Sequence, residues 1–190
     1  MKACEYVTTY LLKKNVISYE EEEVVEYGLG VLGENILSIV ITVLLGSFYK
    51  SPISGLLLWL LVFPLRKYAG GFHANTRGRC LLISVGIMLC AYGLFMTWEL
   101  PMVVFVITTA MTFGIILWLA PVDTPNKLLD VLEQGMYRKR ARVILVTEGI
   151  VFISACILRY EILYATVTMS YFIVAVLLVA GKVTVNNSIK

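Results

Sequence analysis

"PMVVFVITTAMTFGIILWLA", residues 101–120, carries no charged side chain at any position. A helix rises about 1.5 Å per residue, so about 20 such residues reach across the roughly 30 Å hydrocarbon core of a bilayer. The rest of the chain is of the same kind. Of its 190 residues 59% are hydrophobic and 15% charged, which is more apolar than a soluble domain. The apolar residues are clumped rather than set at core-facing periods. They form six blocks, 29–48, 53–65, 80–98, 101–120, 143–158 and 162–180. The block at 53–65 is short for a full crossing, so an oblique or re-entrant path is expected there. In hydrocarbon every backbone N–H and C=O needs a partner inside its own segment, which makes helices the form for these blocks. The sequence therefore predicts an all-α, polytopic membrane protein of six transmembrane helices with an N-terminal amphipathic helix. It reads as one domain, with cytoplasmic and interfacial helices over 1–28, a transmembrane bundle over 29–180 and a cytoplasmic tail over 181–190.

The cations set the orientation. Fourteen of the 16 Lys and Arg residues lie in the two terminal segments and in the segments 66–80 and 121–142, leaving Lys50 and Arg159 for the other side. Lys and Arg collect on the cytoplasmic face, so both termini and both of those loops are placed there, in a multi-pass cell-membrane protein. Residues 4–14 read as a surface helix with Val7, Tyr10 and Leu11 on one face, not as a cleavable signal peptide. "SYEE", 18–21, has the pattern of a capping box opening the first long helix, and the acidic run 20–23 suits a helix N-terminus. Gly28, Gly30 and Gly33 are expected to let a neighbouring helix approach closely. No nucleic-acid partner is expected; the bilayer is.

One loop stands out against this background. "RKYAGGFHANTRGRC", 66–80, holds four cations, three glycines and the chain's single histidine, and ends on a cysteine. A thiol attacks as thiolate, a form favoured at a helix N-terminus and near cations such as Arg77 and Arg79. His73 can take the thiol proton if the loop folds back, and Gly70 and Gly71 permit the sharp backbone path this needs. The residues alone leave two readings open: a Cys80–His73 dyad, or an orientation loop beside an inert or acylated thiol. One histidine and one cysteine leave a zinc site two ligands short, so no metal is expected. Cys90 and Cys156, inside apolar blocks, are expected to pack as small hydrophobes, whereas Cys4 lies near the surface.

The same loop resembles the active-site loop of the accessory gene regulator B (AgrB) family, integral-membrane cysteine endopeptidases of Gram-positive quorum sensing. "APVDTPNK", 120–127, after the fourth block, resembles a second motif of that family. Span number, cytoplasmic termini and length agree with it along essentially the whole chain. The resemblance implies a membrane-embedded cysteine endopeptidase that needs no cofactor. Its substrate would be a short quorum-sensing propeptide held at the inner leaflet by its own amphipathic helix. The enzyme would remove the C-terminal tail through an acyl-enzyme, and a nucleophile within the propeptide would then close a thiolactone or lactone ring. Carried over by position, Cys80 is the nucleophile and His73 its base, with Arg66, Gly70 and Gly71 in support. Residues 76–79 fall in a variable part of the motif and receive no role. A homodimer is compatible with the resemblance.

Other residues have two readings each. Asp123, Thr124 and Asn126 share the cytoplasmic side with His73, and one of them can orient the imidazole; "PVDTP" also suits a turn that ends the fourth span. In "YRKRAR", 137–142, Arg138, Lys139 and Arg140 serve as an orientation anchor or receive an acidic propeptide tail. Glu148, inside the fifth block, is expected to pair with an interior polar group. The alternative of another class is a small transporter or export component that moves the peptide without cutting it. Broken helices and midplane polar residues would favour that alternative, and the sequence has few of either. A lipid-binding scaffold built on the basic loops is a third.

Overall fold

The computed structural model describes the backbone of residues 2–49, 51–72, 77–97, 99–122 and 130–188, and the side chains of 5–49, 51–72, 78–97, 99–122 and 130–184. The described elements are α1 (Lys2–Lys13), a 3-10 turn (Tyr19–Glu21), α2 (Glu22–Phe48), α3 (Pro52–Ala69), α4 (Arg77–Phe95), α5 (Met102–Leu119), α6 (Val131–Ile157) and α7 (Glu161–Ser188). The all-α expectation holds. The chain divides into two compact units, Met1–Ile41 and Thr42–Lys190.

In the first unit, α1 stops at Asn15, whose φ of 54° is the left-handed conformation that closes a helix. Asn15 N–H donates to Leu12 O at 2.9 Å and Val16 N–H to Leu11 O at 3.0 Å, which satisfies carbonyls the helix would otherwise leave bare. The capping pair at 18–21 is present. The Glu21 carboxylate accepts from both the backbone N–H and the hydroxyl of Ser18, each at 2.9 Å. Those two bonds hold the Glu21 carboxyl below its usual value. Gly28 and Gly33 do not mark a helix contact: a Cβ at either would meet nothing within 4 Å.

The second unit is built around α7, against which α3, α4, α5 and α6 all pack. Val167, Met169, Tyr171, Val174 and Leu178 of α7 are fully buried, as are Leu58 and Leu65 of α3 and Tyr92 of α4. A helix that is apolar on every side can be covered on every side, and α7 is the one so treated. Apolar residues on the outer faces, such as Val103, Ile107, Met111 and Trp118 of α5, are exposed, as expected of helices facing lipid. Between helices the buried hydroxyls find partners. Thr109 and Thr168 share a hydrogen bond of 2.8 Å, Ser54 and Tyr92 one of 3.2 Å, and Tyr171 donates to Leu145 O. The close helix approach that small residues permit lies between α2 and α3. A Cβ on Gly46 would be 2.6 Å from Ser51 O, and one on Gly55 would overlap Thr42 O.

Among the described residues four helices are long and apolar enough to cross a membrane by length and composition: Tyr19–Phe48, Gly78–Phe95, Met102–Leu119 and Glu161–Thr184. The other two expected spans have polar ends that dilute them. The block at 53–65 belongs to an 18-residue helix with Arg66 and Lys67 in its last turn. The block at 143–158 continues a helix that starts at Val131, where Asp130 caps it by accepting from Val131 N–H at 2.7 Å. Arg66 and "YRKRAR" therefore lie on helices, not in loops, because Leu, Glu, Gln, Lys, Arg and Ala propagate a helix irrespective of hydropathy. Cys90 is exposed on α4 rather than packed in the interior, and Cys156 is half-buried.

Candidate active site

The segment after α3 is fixed by glycine and by three backbone contacts. Gly70 caps α3 with φ 75° and ψ −144°, a combination open to glycine alone, while its N–H still donates to Arg66 O at 3.0 Å. Gly71 follows at φ 117°. Phe72 N–H then donates to Leu177 O of α7 at 2.8 Å, and Val122 N–H donates to Ala69 O at 2.9 Å. Gly70 and Val122 form an isolated parallel bridge. The two segments that resemble family motifs are thus stitched to each other and to the central helix.

Space at this crossing is short. A Cβ on Gly70 would overlap Val122 O, and one on Gly71 would be 3.0 Å from Leu177 O and 3.3 Å from Arg66 Nη1. From the α7 side, a Cβ on Gly181 would be 2.6 Å from Phe72 N. Gly181 and Val122 were not legible as site residues. Only the fold brings them to the turn, although "APV" at 120–122 lies at the edge of the second motif.

Arg66 lies beneath the turn. Its Nη2 donates to Phe72 O at 2.6 Å, and its Nη1 is buried without a hydrogen-bond partner among the described residues. Burial pushes the guanidinium below its usual value, and the charge of Cys80 acts on it in the opposite sense. Cys80 itself is a half-buried free thiol near the start of α4. The backbone N–H groups in the first turn of a helix have no acceptor within it, and Cys80 stands at that end of α4.

Arg66, Gly70 and Gly71 are therefore brought into one neighbourhood, while Cys80 is placed on the first turn of α4. His73, Asp123 and Asn126, and with them Thr124, lie outside the described residues; the chain reaches the first two from Phe72 and Val122. Arg138, Lys139 and Arg140 are exposed on α6. Arg140 reaches the end of α3, with Nη1 3.4 Å from Tyr68 Oη and its guanidinium 5.4 Å from the centre of that ring. Glu148 lies elsewhere, buried on α6, and its Oε2 has no hydrogen-bond partner. The pairing expected for it is not found at that oxygen. Among the described residues no group of His, Cys, Asp or Glu could hold a metal ion.

The profile of the family described as Accessory gene regulator B matches residues 4–180. AgrB-like protein 2 of Clostridium perfringens (strain 13 / Type A) is 28% identical over 135 residues, covering 67% of this chain and 63% of that protein. Accessory gene regulator protein B of Staphylococcus aureus (strain Newman) is 24% identical over 123 residues, 65% of each chain. This chain thus spans a little under two thirds of the length of the relatives it matches. No solved structure matches. The profile takes in both motifs and the helices that hold them, and the chain belongs to the accessory gene regulator B family.

Proposed function

We propose that the chain is a membrane cysteine endopeptidase that matures a short quorum-sensing propeptide. In this reading the Cys80 sulfur attacks the carbonyl carbon of the scissile bond after giving its proton to His73. The tail leaves as an amine that takes that proton back, and the rest of the propeptide stays on Cys80 as a thioester. A thiol or hydroxyl within the bound propeptide then takes the acyl group, closing a thiolactone or lactone and releasing Cys80. Transfer from thiol to thiol exchanges like bonds, and a tethered nucleophile acts at high effective concentration. The loop lies at the cytoplasmic surface with both termini on the same side, and the exposed Arg138, Lys139 and Arg140 meet the acidic tail. Asp123 or Asn126 orients the imidazole.

The observation that carries this reading is the turn at 70–72. It is held to Val122 on one side and to α7 on the other, and its Phe72 carbonyl accepts from the Arg66 guanidinium. A loop that only set orientation would need its charges and not this construction. The test reconstitutes the chain in vesicles with propeptides that combine an amphipathic N-terminal segment, an internal thiol and an acidic tail. Cleavage should be lost in Cys80→Ala and His73→Ala. Cleavage that survives Cys80→Ala would refute the reading, and transport without cleavage would favour an export component.

A further inference from the structure

The end of α3 and the first half of α6 meet at one aromatic ring. The Arg140 guanidinium of α6 lies against Tyr68 of α3, with Nη1 3.4 Å from Tyr68 Oη and its central carbon 5.4 Å from the ring centre. The Lys67 ammonium is 5.8 Å from the same centre. Tyr137 stands edge-on to the ring, with the two centres 5.7 Å apart. Within about 6 Å a cation is drawn to an aromatic face, so two cations from different helices are held at one ring although like charges repel. Lys67 and Arg140 are exposed and Tyr68 is half-buried, so the cluster opens outward from the bundle. Lys67 has a local reason for its place, because a cation suits the last turn of a helix. Arg140 has none, since it lies beyond the first two turns of α6.

The polar groups gathered at the ring are donors. Tyr68 Oη accepts from Arg140 and keeps its own O–H to give, while Arg140 and Lys67 can only give. Among the described residues both cations meet the ring and no carboxylate. An anion with several oxygens satisfies three such donors at once, and a phosphate has that form. The depth of the ring selects its source. The apolar block of α3 ends at Leu65 and Tyr68 stands about one turn beyond it, the level at which tyrosines and snorkelling cations meet lipid headgroups. We propose that Lys67, Tyr68 and Arg140 seat the headgroup phosphate of an anionic phospholipid. The two cations take its oxygens and the Tyr68 hydroxyl donates between them, so that the lipid ties the end of α3 to α6. The seat does not depend on the peptidase reading, and an acidic tail meets Arg140 only on the edge that the headgroup leaves open.

The test titrates the full chain in detergent with phosphatidylglycerol and with phosphatidylcholine of the same acyl chains, and counts bound lipid by native mass spectrometry. The two lipids share the phosphate and differ in net charge. The wild-type chain should hold phosphatidylglycerol at least about tenfold more tightly, since two cations face the headgroup. Lys67→Gln and Arg140→Gln should each weaken it about fivefold, and Tyr68→Phe about threefold through the lost hydroxyl. Arg142→Gln removes an exposed cation two residues from Arg140, on another face of α6, and should leave binding within about twofold because such charges are screened. A wild-type chain with no preference for phosphatidylglycerol overturns the proposal, and this arm needs no variant to fold. Equal losses in Arg140→Gln and Arg142→Gln overturn it too, because binding would then follow overall charge and not the ring.

Inorganic phosphate and a synthetic acidic tail peptide serve as competitors. At the concentration of the lipid neither should displace it, because neither brings acyl chains that add apolar contact. Displacement by inorganic phosphate would make this a site for a free anion and overturn the lipid seat. Displacement by the peptide would give the ring to the tail and overturn it as well. No cleavage is measured in any arm, so failure of the peptidase reading leaves these outcomes as they stand.

Discussion

Gly70→Ala perturbs the turn at its tightest point. The backbone there has φ 75° and ψ −144°, and an alanine Cβ would overlap Val122 O. Holding a residue with a side chain in such a region costs about 1–3 kcal/mol. Relieving the overlap means parting the Gly70–Val122 bridge and giving up the Val122 N–H bond to Ala69 O, worth about 1 kcal/mol. The expected loss is about 2–4 kcal/mol, confined to the turn. Leu58 and Leu65 of α3 and the buried length of α7 are untouched, so the bundle should stay folded with its turn displaced. If cleavage needs the stitched turn, about 2 kcal/mol lowers the rate by about 30-fold or more. The assay compares cleavage in vesicles and thermal midpoints in detergent with Gly86→Ala, where a Cβ meets nothing within 4 Å. Wild-type cleavage by Gly70→Ala would refute the reasoning. So would a lost rate accompanied by an unfolded bundle, because the damage would then not be local.

The same crossing can be disturbed from the other side: Gly181→Ala places a Cβ 2.6 Å from Phe72 N and should reproduce the Gly70→Ala loss of cleavage with α7 intact by circular dichroism. Normal cleavage would show that Phe72 is not held by α7. Replacing Glu148 by Leu removes a buried carboxylate oxygen that has no partner, and should leave stability unchanged or raise it by about 1–3 kcal/mol. A fall of that size in detergent unfolding would mean that Glu148 has a partner after all. At the N-terminus, the Ser18 bonds lower the Glu21 carboxyl from 4.5 in the folded chain. A depressed carboxylate contributes stability above the unfolded value and loses it as pH falls through the folded one. Protection of the Ser18 amide, its exchange rate relative to the intrinsic rate at the same pH, should therefore fall below about pH 4.5 in the wild type and show no such dependence in Glu21→Ala. An identical pH response in both would show that the cap is not responsible.

Element type was legible because hydrocarbon blocks near 20 residues long have one structural solution: all six blocks fall on helices, and those at 53–65, 80–98 and 101–120 do so within about four residues of the expected bounds. Helix ends were less legible. Arg66 and "YRKRAR" mark where hydropathy stops, but backbone hydrogen bonding carries α3 on to Ala69 and brings α6 in from Val131. The centrality of α7 was hidden because 101–120 and 162–180 are equally apolar; which of them is surrounded depends on packing. Of the site, Cys80, Arg66 and the glycine pair could be read from local chemistry and resemblance. Gly181 and Leu177 O could not, since their part is to accept a turn more than a hundred residues away in sequence.

The most direct test of the account is the intact mass of the chain after incubation with a propeptide whose internal nucleophile is replaced by alanine. Without that nucleophile the acyl group can leave Cys80 only by hydrolysis, which a site that excludes water slows. A covalent adduct equal to the propeptide less its tail should accumulate on Cys80 as a hydroxylamine-labile thioester, and should be absent from Cys80→Ala. Tail release with no adduct on Cys80, or in the Cys80→Ala chain, would contradict the account.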